Sequence, residues 1–139
     1  MKNITGLLLT DEGELKEVAV KGDARGSHID SMYQHLACRA VDCIGLPYSG
    51  IDLWVDDEFI YAESLPNLEL SLTAITLGWS GRHIIKGNGL FLAINARTGE
   101  SISLSDEQKQ QVRDAFAWAR KRVNEVLLEG LRSISEERQ

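Results

Sequence analysis

SDEQKQQVRDAFAWARKRVNEVLLEGLRSI, residues 105–134, carries the pattern that decides how this chain is organised. Ser105 stands three residues before Gln108, the spacing at which each side chain reaches the other's backbone N–H and closes a capping box. Asp106 and Glu107 place negative charge at the positive end of the helix dipole. From there Val112, Phe116, Ala119, Val123, Val126 and Gly130 recur at helical spacing, and Ala115, Leu127, Leu131 and Ile134 widen the seam. The pattern predicts an amphipathic helix of about 25 residues, roughly 38 Å long at 1.5 Å per residue. Such a helix outreaches a core built from the preceding residues, so its far end is expected to extend beyond its own globule. The polar tail, residues 133–139, is expected to fray.

Working outward, residues 4–9 and 15–20 read as strands joined by a turn at Asp11-Glu12-Gly13. Ser27, with Asp30 three residues on, opens a helix whose Ile29, Met32, Tyr33, Leu36 and Ala37 share one stripe. Strands follow over 40–44 and 51–55, where Ile51, Leu53 and Val55 alternate with Asp52, Trp54 and Asp56. Phe59-Ile60-Tyr61 is expected as a further short strand. Pro66-Asn67 and Gly78 punctuate a short helix over 68–77, while the β-branched Thr73, Ile75 and Thr76 keep a strand as the alternative. A hairpin spans 90–95 and 101–104 across Ala96-Arg97-Thr98-Gly99. The expected class is α+β: a mixed, mainly antiparallel sheet, one or two short helices and a long C-terminal amphipathic helix. Residues 1–104 form the core domain, and 105–139 the helix, packed on that core and mediating self-association.

Acidic residues outnumber basic ones by 21 to 15, and the net charge of −6 disfavours a nucleic-acid partner. The basic residues cluster once, at Arg120-Lys121-Arg122 with Arg113 nearby, which keeps DNA binding through Arg113, Arg120 and Arg122 as a weak alternative. No apolar run of about 18 residues exists, so no membrane partner is expected. Two cysteines spaced C-x4-C, Cys38 and Cys43, match neither a redox pair nor a zinc knuckle, and a cytoplasmic location with reduced thiols is expected.

The acidic group Asp52, Asp56, Asp57 and Glu58 is dense, but Asp52 and Asp56 lie about 13 Å apart along a strand, too far to share one ion. His28 and His35 are two helical turns apart, about 10 Å. No metal site, no cofactor and no catalytic residue is expected. The stretch from Gly78 to Gly89 is the more informative one. It combines four glycines with Trp79, Arg82, His83, Lys86 and Asn88, a set able to offer backbone N–H groups, a guanidinium fork and a stacking face to a nucleotide-like ligand. The alternative is that these glycines merely permit turns.

Four segments in fixed order carry a family resemblance: Tyr33-Gln34-His35-Leu36, Gly50-Ile51-Asp52-Leu53-Trp54-Val55-Asp56-Asp57-Glu58, Leu65-Pro66-Asn67 and Ile85-Lys86-Gly87. The chain resembles the family called domain of unknown function 3846 over approximately residues 1–110. It departs from the pattern in having Cys38-Arg39-Ala40 where a Gly-Gly follows the helix, in Pro66 being followed directly by Asn67, and in its longer final helix. The resemblance implies an actinobacterial, bacteriophage or mobile-element source. It implies no reaction, so no catalytic residue is carried over.

The leading functional expectation is a non-enzymatic phage or mobile-element accessory protein. It would bind a host protein, such as a defence component, in the host cytoplasm. It would also form a homo-oligomer, a dimer first, through Val112, Phe116, Ala119, Val123, Val126 and Leu127. The alternative is a nucleotide-like ligand held by residues 78–89.

Overall fold

The computed structural model describes residues 2–47, 49–59 and 65–137. Its strands are β1 (Ile4–Leu9), β2 (Leu15–Val20), β3 (Val41–Leu46), β4 (Ile51–Asp56), β5 (Gly89–Ile94) and β6 (Ser101–Ile102). They form one sheet in the order β2-β1-β5-β4-β3, with β6 added beside β5, and every pairing is antiparallel. Three helices complete the chain: α1 (Ile29–Leu36), α2 (Leu68–Thr76) and α3 (Asp106–Glu137). The α+β class is as the sequence indicates.

Both faces of the sheet are covered. Leu7, Leu9, Ile51, Leu53, Val55, Phe91 and Ala93 point to one side, where Leu70 and Ala74 of α2 and Val112 of α3 close over them. Ile4, Leu8, Val20, Leu90 and Leu92 point to the other, under Met32 and Leu36 of α1. Two buried faces explain why Leu7-Leu8-Leu9 and Leu90-Phe91-Leu92 run continuously apolar instead of alternating. Gly89 belongs to this packing, since a Cβ there would fall 2.6 Å from the Leu70 side chain.

Local chemistry fixes the ends of the elements. Ser105 Oγ accepts from the Gln108 N–H at 3.1 Å, and Gln108 Oε1 accepts from the Ser105 N–H at 2.9 Å, the reciprocal capping box. At α1 the start falls later than Ser27: His28 is the N-cap residue, and Ser27 Oγ only accepts from the Ile29 N–H at 3.3 Å. Ala37 ends α1 in the left-handed conformation at φ 51°. The segment 68–77 is helical, and its threonines are compatible with a helix because Thr73 and Thr76 donate their hydroxyls to the carbonyls of Glu69 and Leu72.

Three expectations are corrected. The last helix has 32 residues, not about 25, and runs to Glu137. Strand β3 starts at Val41 and continues to Leu46. Phe59 lies in a turn with its ring in the core, and the rest of the expected strand at Ile60 and Tyr61 falls outside the described residues. Among the described residues no helix is long and apolar enough to cross a membrane.

Candidate functional site

Helix α3 has two unlike halves. Its first half completes the core: Val112 and Ala119 are wholly buried, Ala115 is nearly so, and Phe116 packs against the cluster from the edge. Lys109 anchors this half to β2 through an ion pair with Glu17, and Gln108 Nε2 donates to the carbonyl of Ser49 at 3.1 Å. The Glu17 carboxyl is held below its ordinary range by the hydrogen bond and charge of Lys109. Beyond Val123 every described side chain, from Asn124 to Glu136, is exposed. Val126, Leu127, Leu128, Leu131 and Ile134 are each half exposed or more.

Where the halves meet, a groove of about 340 Å³ opens between α2, the 81–84 loop and α3. Leu68, Leu72 and Ile75 of α2 form one wall, Ile84 the loop side, and Val123, Val126 and Leu127 the α3 side. Arg82 and His83 stand on its rim. The lining is almost entirely apolar, and its largest side chains remain open to solvent: Leu68, Ile75 and Ile84 are 43%, 48% and 51% exposed. An apolar recess of this kind excludes water from whatever fills it, and what fills it gains by area, with little polar direction.

The loop beside the groove is fastened from beneath. Asn67, buried, accepts from the Leu70 N–H to cap α2 and donates Nδ2 to the carbonyls of Thr10 and Gly87 at 3.1 and 2.8 Å. Ser71 Oγ donates to the Asn67 carbonyl and accepts from the Ile85 N–H, which draws Ile85 into the core. Gly81 lies against the indole of Trp79, and a Cβ there would overlap the ring at 1.7 Å.

This architecture separates the five residues expected to hold a nucleotide-like ligand. Arg82 and His83 reach the groove. Trp79 packs against the core cluster with its ring beneath Gly81. Asn88 has both ends engaged, accepting from the Asp11 N–H and donating to the His35 carbonyl, each at 3.0 Å, which ties the β1–β2 turn to the end of α1. Lys86 pairs its backbone with Pro66 in an isolated bridge. Of the five, Arg82 and His83 are thus brought together at the groove, while the Trp79 ring and the Asn88 amide are engaged elsewhere.

The six residues expected at an oligomer interface divide as well. Val112 and Ala119 are buried in the chain's own core and are not available to a second chain, and Phe116 is partly buried against that core. Val123, Val126 and Leu127 line the groove. Parts of two separately derived candidates, Arg82 with His83 and Val123 with Val126 and Leu127, thus meet in one place. The sequence reading missed the α2 wall. Its signal was present, for Leu68, Leu72 and Ile75 share a helical face once 68–77 is read as a helix.

The family model for Domain of unknown function (DUF3846) matches residues 4–117. The chain belongs to this family. The match ends close to the point where α3 leaves the core, so the DUF3846 segment includes Val112, Ala115 and Phe116 and stops short of Val123, Val126 and Leu127. No curated protein and no solved structure matches the chain.

Away from the groove, Cys43 on β3 and Asp52 on β4 stand on the face that α1 partly covers. Asp52 is buried, and loss of solvent pushes its carboxyl up, against the opposing effect of a hydrogen bond from the Cys43 thiol. Withdrawal from solvent and the Asp52 charge push that thiol up to about 12. A thiol so suppressed is a poor nucleophile. Among the described residues no three of His, Cys, Asp and Glu gather as a metal would require.

Proposed function

We propose that this chain is a non-enzymatic binding protein that associates with other protein through the groove and the free half of α3. The observation that supports the reading is the continuity of exposed apolar surface from Leu68, Ile75 and Ile84 across to Val126, Leu127 and Leu131. A contiguous exposed apolar surface of that kind, framed by Arg82, His83 and the charged far side of α3, marks an association face. The occupant that fits is an amphipathic helix lying along the groove, since its wall is itself helical on two sides. If the gene travels in a bacteriophage or mobile element, a host protein is the target class, with defence components the first to test. The nucleotide-like alternative is weakened by the engagement of Asn88 and the packing of Trp79.

The test is affinity capture from host lysate with the wild-type chain, Leu127→Glu and, as a control at an exposed loop position away from the groove, Arg97→Glu. A genuine groove partner is retained by the wild type and by Arg97→Glu, and is lost with Leu127→Glu. Equal retention by all three rejects the groove as the binding face.

A further inference from the structure

We infer that the helix filling the groove is the distal α3 of a second copy of this chain, laid antiparallel and centred between Leu128 and Glu129. The inference rests on the reading of the groove as an association face and names its occupant.

The exposed seam of α3 is self-complementary. An antiparallel pairing about that centre brings Val123 opposite Ile134 of the other copy, Val126 opposite Leu131 and Leu127 opposite Gly130. The three groove-lining residues of α3 thereby meet the three positions that lie beyond the groove on the same helix. Leu131 and Ile134 are 63% and 50% exposed and have no role in their own core. Gly130, with nothing within 4 Å of a Cβ built on it, leaves a notch in the helix surface opposite Leu127. A two-fold pairing repeats each contact twice, as an isologous interface requires.

Charge favours the same direction. The free half of α3 has Arg120-Lys121-Arg122 at its root and Glu136-Glu137 near its end, with Arg132 and Arg138 flanking that acidic pair. Arg122 pairs with Glu125 at 3.5 Å and Arg120 with Glu69 at 3.7 Å, and the antiparallel register sets Lys121 opposite Glu136. Antiparallel pairing sets root against tip, whereas parallel pairing would stack the basic clusters on one another, a repulsion exposed charges feel within about 8 Å at physiological salt. The same polarity sets the direction, which the apolar ladder alone would leave open.

Light scattering on the wild-type chain and oxidative cross-linking test the inference together. The expected mass is twice the 15.5 kDa of one chain. With Cys38 and Cys43 replaced by Ser, the double variant Val123→Cys/Ile134→Cys is expected to cross-link between chains, and Ile134→Cys alone is not. The pair is three helical turns apart within one chain, roughly 16 Å, so no internal bridge can form. Glu136→Lys/Glu137→Lys is expected to weaken the dimer roughly tenfold, as several exposed ion pairs turn repulsive together. A wild-type monomer at ~100 µM overturns the inference, as does a dimer in which Ile134→Cys alone cross-links or the double variant does not. A monomer that still captures a partner lost with Leu127→Glu leaves the association face standing. An antiparallel dimer that captures nothing retains the inference and removes the host-protein reading.

Discussion

The guanidinium of Arg120 lies over the ring of Phe116, 5.6 Å from its centroid, while its Nε reaches the Glu69 carboxylate of α2 at 3.7 Å. One side chain thus clips α3 to α2 at the last turn before the helix leaves the core. Replacing Arg120 by Met keeps much of the apolar stem and removes the charge. The expected loss is about 0.5–1 kcal/mol, the scale of an exposed cation–π contact, measured by urea denaturation.

The two halves of α3 predict unequal responses to the same substitution. Val112→Ala removes two methyl groups from a fully buried site and is expected to cost about 1.6 kcal/mol at ~0.8 kcal/mol per buried methylene-sized group. Val126→Ala, at a half-exposed site, is expected to change monomer stability by no more than about 0.5 kcal/mol. Denaturation at low protein concentration, where association does not contribute, separates the two. Equal losses at both positions would mean that the distal half is part of the core.

Asn67→Ala removes the α2 cap and the amide donor to the buried Gly87 carbonyl, while the Thr10 carbonyl keeps the Gly13 N–H. The expected destabilisation is about 2–4 kcal/mol, a lost cap of ~1 kcal/mol together with the penalty for the buried Gly87 carbonyl losing its partner. Hydrogen exchange at Ile85 and Leu70 should rise first, because the Ser71–Ile85 contact hangs from the same segment.

Much of the fold was legible because its chemistry is local. The Ser105–Gln108 capping box and the alternation of Ile51, Leu53 and Val55 were readable, and each depends only on near neighbours in the chain. Pro66-Asn67 also marked the α2 start, with Asn67 as its cap. What could not be read depends on distant partners. Asn88 looks like a ligand-facing amide in a Gly-rich loop, and only the fold brings Asp11 and His35 to its two ends. The length of the last helix implied that its far end leaves the globule, but the heptad-like seam did not show where, with Val112 and Ala119 in the core and Val126 and Leu127 outside it. The core's reach along α3 is set by α2 and the sheet, and periodicity is the same on both sides of that limit.

Asp52 supplies a pH dependence of defined sign. Its carboxyl is raised in the folded chain by loss of solvent, with the Cys43 hydrogen bond opposing. The native state therefore holds its proton to higher pH than the unfolded state, and the stability it contributes is complete below the ordinary aspartate range and lost as pH rises through the folded value. Asp52→Asn is expected to raise the melting temperature at pH 8 and to leave it nearly unchanged at pH 4. Calorimetry at the two pH values checks this, and a lower melting temperature at pH 8 would show that the ionised carboxylate is the stabilising form.

Cys43 should be slow to alkylate although the residue is exposed. With its thiol pushed up to about 12 and Asp52 beside it, the thiolate is scarce at pH 8. Asp52→Asn should accelerate iodoacetamide labelling of Cys43 and leave that of Cys38 unchanged, as peptide mass mapping would resolve.

The rooting of α3 at Lys109, Gln108 and Val112 turns the free half into a rigid lever whose phase is fixed at its base. Each residue added or removed between Ala119 and Val123 would swing everything beyond it by about 100°, a consequence of 3.6 residues per turn. One inserted residue would carry Val126 and Leu127 away from the groove, and Leu131 and Ile134 off the same side, with the core contacts of Val112, Ala115 and Ala119 left in place. Four would bring them nearly back into phase, about one turn farther out. The length of the helix is thus less constrained than its winding, and the angular position of the tip is inherited from side chains many residues away.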